Sequence, residues 1–318
     1  MIVVTGGAGF VGSNVVHALN ARGVSDILVV DDLSDSRKVA NLLDADIADY
    51  LDRDDFLALV EAGTGLDHVT SIIHQGACTS TTEPDGRYVM RANLGYSTSL
   101  LNWCLARSVP LVYASSAAVY GAGDAFGVDA RNERPLNVYG WSKLLFDQRV
   151  RRALPDAECQ IVGLRYFNVY GPRESHKDEM ASMVLQLDDQ IAAHGEARIF
   201  GAGAGCDAGS HRRDFVHVDD VVSVLLWFFD HPDRSGVFNC GTGTSRSFEE
   251  VAHSIIEFRG TGRLAYMPFP TTLEARYQSF TEADLTTLRA AGCDVAFTPV
   301  EDGVAAYLAW RTSVGERS

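Results

Sequence analysis

The 318-residue sequence has no C-x-x-C pair; its six cysteines, Cys78, Cys104, Cys159, Cys206, Cys240 and Cys293, are scattered. In a chain of this length that excludes a disulfide framework or a zinc motif and leaves reduced core thiols. No apolar run approaches the ~20 residues of a membrane span. No charged leader precedes the strand-like Ile2-Val3-Val4, so no secretory signal is expected either. Positive charge is scarce: 27 Lys and Arg stand against 42 Asp and Glu, a formal net charge of −15. Such a surface repels phosphate backbones and anionic lipid, which argues against nucleic-acid and membrane partners but leaves room for a small anion in a local basic pocket. The expectation is a cytoplasmic globular protein, too long for one comfortable core.

The first half alternates short runs rich in Val, Ile and Leu (Ile2–Val4, Ile27–Val30, Ser71–His74, Leu111–Ala114, Ile161–Leu164) with segments of helical spacing such as Gly12–Arg22 and Tyr88–Arg107. Continuous apolar strands separated by helices predict a doubly wound α/β fold, a Rossmann-type parallel sheet covered on both faces. After Tyr170 the alternation weakens. Gly201–Ser210 reads as a glycine-rich loop, Phe215–Phe229 as a strand and an apolar helix, Val237–Cys240 as a strand returning to the sheet, and Leu264–Pro268 as a further strand. The pattern predicts a nucleotide-binding domain from residues 1–168 plus 214–242 and a smaller α/β substrate-binding domain from 169–213 plus 243–318.

Ile2–Thr5 runs into Gly6-Gly7-Ala8-Gly9-Phe10-Val11-Gly12 and then a helix. Gly6 permits the tight turn, Gly9 lets backbone approach a pyrophosphate, and Gly12 lets helix and strand pack closely. The helix N-terminus adds free N–H groups and a positive dipole end. Asp31-Asp32 follows at the end of the second strand, the usual context for a dinucleotide site. Asp31 suits a ribose hydroxyl and favours NAD, whereas Arg37, Lys38 and Arg53 are available to a 2′-phosphate, so residue chemistry leaves NAD and NADP both open.

Tyr139 and Lys143 sit four residues apart, on one face of a helix. Ionising a phenol at pH 7 costs roughly 4 kcal/mol; a nearby ammonium lowers that cost and makes Tyr139 a general base toward a hydroxyl. Ser115 and Ser116 end the Leu111–Ala114 strand, where open parallel sheets place ligands. Ser115 reads as a turn cap and Ser116 as the hydroxyl that aligns Tyr139 with substrate. A third class of reading, a non-catalytic dinucleotide sensor, predicts loss of Tyr or Lys, and both are present.

The loop TGGAGFVG, HQGA (His74–Ala77), Asn93, YASSAAVYG (Tyr113–Gly121), YGWSK and RYFNVYGPRE (Arg165–Glu174) together resemble the extended short-chain dehydrogenase/reductase family over nearly the whole chain. This resemblance implies a nucleotide-sugar substrate. Ser116 is followed by Ala117-Ala118 rather than the Asp-Glu pair of the family's 4,6-dehydratases, which disfavours dehydration; a UDP-sugar 4-epimerase remains the alternative. Longer strings, among them GACTSTTEPDGRY (Gly76–Tyr88), GPRESHKDEMAS (Gly171–Ser182), RRDFVHVDDV (Arg212–Val221) and RYQSFTEADLTTLRAAG (Arg276–Gly292), are similar to the branch of 6-epimerases acting on ADP-heptose. That resemblance implies NADP, a homo-oligomer of five chains, and two acid/base groups, Tyr139 and Lys177, supported by Lys143 and Ser116. It places Gly6, Gly9, Phe10, Val11, Gly12, Asp31, Asp32, Lys38, Arg53, Gln75, Gly76, Ala77, Cys78, Thr79, Asn93, Tyr139, Lys143 and Lys177 at the cofactor. Ser116, Asn168, Val169, Lys177, Glu179, Gln186, Phe200, Gly201, Ala202, Gly203, Arg213 and Tyr277 fall at the substrate, Arg213 suiting the diphosphate. Gln75, Glu179 and Gln186 stand where this branch usually has Glu, Ser and His.

Overall fold

The computed structural model describes residues 1–270 and 277–315. The apolar runs form strands β1 (Ile2–Thr5), β2 (Ile27–Asp31), β3 (Asp49–Asp52), β4 (Ser71–His74), β5 (Leu111–Ser116) and β6 (Ile161–Tyr166). Outside them lie β7 (Asn168–Tyr170), β8 (Glu196–Phe200), β9 (Arg212–Arg213) and β10 (Phe215–His217), followed by β11 (Gly236–Cys240), β12 (Arg246–Ser247) and β13 (Arg263–Met267). The central sheet has seven parallel strands in the order β11-β6-β5-β4-β1-β2-β3. From β1 the chain winds first toward β3 and then, through β4, toward β6. The direction therefore reverses between β1 and β4, and the crevice beyond their carboxyl ends is where such sheets hold ligands.

The helices are α1 (Phe10–Ala21), α2 (Arg53–Ala62), α3 (Gly86–Met90), α4 (Tyr96–Arg107) and α5 (Val138–Ala153), then α6 (Met183–His194), α7 (Val218–Asp230), α8 (Phe248–Arg259), α9 (Thr286–Ala290) and α10 (Val300–Ser313). Successive strand residues point to opposite faces. Val4, Val29 and Ile73 pack with α1 and α7, while their neighbours Val3, Leu28 and Ile72 pack beneath α2 and α4. Two buried faces explain why these strands read as unbroken apolar runs. A third core joins α6, α8 and α10 through Leu185, Ile191, Val251, Ile255 and Val304. It is flanked by two-stranded sheets (β7 with β10, β8 with β13, β9 with β12).

Two features depart from expectation. β3 (DYLD) went unread because it is an edge strand, paired only with β2 and partly exposed, so nothing demands apolar side chains. The single helix expected over Tyr88–Arg107 is broken by a π-helical turn at Arg91–Gly95, a local widening that recurs at functional sites. Here Asn93 is buried within that turn.

Candidate active site

Gly6 turns the chain with φ +67°, and its N–H donates to Val30 O at 2.7 Å. A Cβ on Gly12 would lie 2.0 Å from Gly6 O, so no side chain fits there. At Gly9 a Cβ would meet only Gly6 O, at 3.2 Å; the surface above is open. No side chain caps the N-terminus of α1, which leaves its first N–H groups for an anion. The Asp31 carboxylate accepts from Ala8 N, Asp32 N and Lys38 Nζ at 2.9, 2.7 and 2.9 Å. It thereby braces the glycine turn as well as facing the crevice. Arg53 lies 3.3 Å from Asp32, whose carboxyl is held below its ordinary range by hydrogen bonds from Ser34 and by the charges of Arg53 and Lys38.

A cavity of about 660 Å³ opens on this turn. Of the residues singled out in sequence, Gly6, Gly9, Phe10, Val11, Gly12, Asp31, Lys38, Gln75–Thr79, Ser116, Tyr139, Lys143, Asn168, Val169 and Lys177 line it. An adjoining cavity of about 610 Å³ is lined by Asp31, Asp32, Lys38, Arg53, Tyr88, Arg91 and Tyr96. Asn93 lines neither: its amide accepts from Cys78 N and donates to Cys78 O and Ser142 Oγ, so it holds the cavity wall from behind. Gln75 accepts from Tyr166 OH at 2.9 Å, and its buried Nε2 has no partner among the described residues. An unsatisfied buried donor costs stability unless something supplies an acceptor. With the open helix terminus, it suits an anionic dinucleotide.

On the far side α5 presents Tyr139 and Lys143, its first turn capped by Asn137, which accepts from Gly140 N at 2.8 Å. Burial raises the Tyr139 hydroxyl, opposed by a hydrogen bond from Ser116. Lys143 is pushed down to about 8 by burial, against the pull of Asp147, and its Nζ donates to Ala114 O at 2.8 Å. The Lys143 ammonium lies 6.0 Å from the Tyr139 ring centroid, and burial is the largest influence on the phenol. Of the two serines, Ser115 differs from expectation. Ser116 both caps the following turn, accepting from Ala118 N, and meets Tyr139, whereas Ser115 is no cap and donates to Asp147 at 2.9 Å.

Asp147 was missed. It lies one helical turn beyond Lys143 and two beyond Tyr139, a periodicity legible in the sequence. It accepts from Tyr113 OH, Ser115 Oγ and Arg165 Nε at 2.9, 2.9 and 2.8 Å, and Arg165 continues to Tyr120 and Glu133. All are buried, so β5, β6 and α5 are locked together beneath the site.

Lys177 enters the same cavity from the turn Ser175–Met180, its ammonium 5.3 Å from the Phe10 ring centroid. Burial lowers its pKa, opposed by Glu174. Glu174 is itself buried and anchors the turn by accepting from Gly171 N, Ser182 N and Ser182 Oγ. Glu179 and Gln186 line neither cavity; Gln186 donates to Glu179 O and Ala181 O and closes the turn.

Phe200, Arg213 and Tyr277 gather apart from these cavities, with His211 and Phe269, which sequence reading did not single out. Arg213 lies 5.0 Å from the Tyr277 ring centroid, and Phe269 packs on Phe200, His211 and Tyr277. Among the described residues no carboxylate pairs with Arg213. Gly203 lets the loop lie on Phe269, whose ring a Cβ there would meet at 2.3 Å; Gly201 donates to Met267 O, and Ala202 is exposed. Arg276, which opens the RYQSF string, lies outside the described residues.

The sequence profile of the NAD dependent epimerase/dehydratase family matches residues 2–241. The chain belongs to this family. This epimerase/dehydratase family member accordingly takes a nicotinamide dinucleotide. It is 55% identical over 308 residues (97% of this chain, 96% of the relative) to an ADP-L-glycero-D-manno-heptose-6-epimerase of Alkalilimnicola ehrlichii. Among solved structures it resembles the Helicobacter pylori ADP-L-glycero-D-manno-heptose-6-epimerase, with TM-score 0.84 and 31% identity over 98% of this chain and 96% of that one. A Thermus thermophilus UDP-glucose 4-epimerase in complex with NAD matches at TM-score 0.80 and 26% identity, over 97% of each chain. No helix among the described residues is long and apolar enough to cross a membrane.

Proposed function

We propose that this enzyme interconverts ADP-D-glycero-D-manno-heptose and ADP-L-glycero-D-manno-heptose by inverting C6, using NADP, as a cytoplasmic homo-oligomer that supplies heptose for lipopolysaccharide core. The relatives' activity supports the substrate. The observation that carries the mechanism is that Tyr139 and Lys177, from different elements, line one cavity with the glycine turn.

When bound, the nicotinamide dinucleotide supplies reversible hydride exchange at the carbinol carbon and is regenerated in each turnover. Inverting that carbon through a ketone requires the sugar to present its other face, which moves the oxygen to a new place. Tyr139, aligned by Ser116, takes the hydroxyl proton of one epimer, and Lys177 serves the oxygen in its second position. The lowered pKa of Lys177 helps it release a proton. Arg213, buried and lacking a carboxylate partner among the described residues, receives the diphosphate. Lys38 and Arg53, at the cavity beyond Asp31, receive the 2′-phosphate of NADP. Their charges offset Asp31 and Asp32, which otherwise repel it.

Residues 1–168 with 214–242 hold the dinucleotide in this reading, and 169–213 with 243–318 the sugar nucleotide. Proton NMR of ADP-heptose incubated with the purified enzyme tests the reaction: the two C6 epimers should equilibrate without added cofactor. Interconversion of UDP-glucose and UDP-galactose instead identifies a 4-epimerase. Mass spectrometry of the nucleotide released on denaturation should give NADP; NAD alone refutes the role of Lys38 and Arg53. Light scattering should give a pentamer.

A further inference from the structure

Arg37 was available, on sequence, to bind a phosphate. Its guanidinium is otherwise engaged. Nε and Nη2 donate to the two oxygens of Asp35 at 2.9 and 2.8 Å, while Nη1 and Nη2 donate to the two oxygens of Asp178 at 2.6 and 2.7 Å, and Nη2 also reaches His176 O at 3.1 Å. Forked pairs of this kind fix direction as well as distance. Asp35 lies two residues away on the same turn, so it aims the guanidinium from its own segment. The contacts on the far side fall on residues 176 and 178, one on each side of Lys177.

The backbone there needs holding. Asp178 adopts φ 48°, ψ −123°, a region that residues other than glycine rarely occupy unless their surroundings enforce it. The base of the turn is anchored by Glu174, but its tip is exposed; Arg37 and Asp178 are 53% and 65% accessible. Asn41 adds a second tie, donating to Ala8 O and Arg173 O. The Lys177 turn is thus fastened to the glycine turn and to the segment after β2.

We infer that the Arg37–Asp178 clasp is a positioning device for Lys177, holding its turn against the dinucleotide-binding half, and that Arg37 acts on the reaction through Lys177 alone. This rests on the reading of Lys177 as the second acid/base.

The test is a double-mutant cycle on the dinucleotide-loaded enzyme with Arg37→Ala, Lys177→Met and the pair together, plus Arg37→Lys. Arg37→Ala should lower kcat roughly three- to tenfold, the scale of a partly exposed forked pair. KM and melting temperature should stay near wild type. Substrate should now raise reduced-dinucleotide absorbance, because the first hydride transfer outruns completion of the inversion. Arg37→Lys recovers only part, since one ammonium cannot grip both carboxylates. In the Lys177→Met background, Arg37→Ala should change nothing further. Losses that multiply in the double variant, or an Arg37→Ala effect confined to KM or dinucleotide retention, overturn the clasp while leaving Lys177 in place. A Lys177→Met enzyme with wild-type kcat removes the reading itself, and the clasp falls with it.

Discussion

The two ends of the cavity are built in opposite ways. Tyr139 stands on a 16-residue helix whose underside is bolted to two central strands through Asp147 and Arg165, with neither side chain of that pair exposed. Lys177 stands on a short turn with a strained neighbour, tied at its tip by exposed ions. A buried pair cannot be broken without leaving an uncompensated charge, whereas an exposed pair trades places with water at little cost. One of the two proposed proton-transfer groups is therefore held by buried contacts throughout, and the other by buried Glu174 at the base of its turn and an exposed pair at the tip. A reaction in which the sugar must turn over within its site has use for one rigid side and one adjustable side.

The sharpest way to break this contrast is stability. Arg165→Met should cost about 3–5 kcal/mol in chemical denaturation, since it strips the buried Asp147 carboxylate of its charged partner, while Glu133 keeps Arg151. Arg37→Ala should cost no more than about 1 kcal/mol. Equal losses would erase the distinction. Next is turnover: Tyr139→Phe keeps the ring and deletes the titrating hydroxyl, so kcat should fall by roughly a hundredfold or more with dinucleotide still bound. Near-normal activity would take Tyr139 out of the chemistry.

A smaller effect is expected in the pH profile. Lys143 sits at about 8, depressed from its ordinary 10.5 by burial. The charged form dominates below that value, so a reaction that needs the ammonium should lose activity as pH rises through about 8. Linkage has a definite sign here: charging this buried amine opposes folding below about 8, and the opposition fades as pH climbs toward 10.5. An activity plateau extending to pH 10 would contradict a charged Lys143. Salt should act least. Raising ionic strength from ~0.1 to ~1 M shortens screening from about 10 to about 3 Å; kcat should drop by less than roughly threefold, and Arg37→Ala should be insensitive. Equal salt dependence in both proteins would place the sensitivity elsewhere.

Much of the Tyr139 end was legible because it repeats along regular elements. The glycine spacing, the strand that precedes it and the Tyr-Lys interval on α5 are local, and local geometry follows from sequence order. Asp147 obeys the same helical interval but has meaning only once Arg165, 18 residues on and in a different element, is beside it. The cap expected of Ser115 falls to Ser116, because Ser115 turns its hydroxyl to the buried Asp147.

At the Lys177 end sequence alone supplied little. SHKDEM has no period to read, and only resemblance to a family singled out its lysine. Arg37 looked like a phosphate ligand because an arginine near a dinucleotide site is a free cation until its neighbours are known; Asp178 lies 141 positions away. Phe269 and His211 likewise carried no motif and joined Arg213 only through folding. Chain order alone was enough for the parallel sheet, the glycine turn and the helix that presents Tyr139, since these depend on short-range periodicity and on the absence of a Cβ. Which charges are already spent on one another and which remain for a ligand was settled by folding, because pairing across long chain separations depends on distance in space, and no pattern along the chain encodes it.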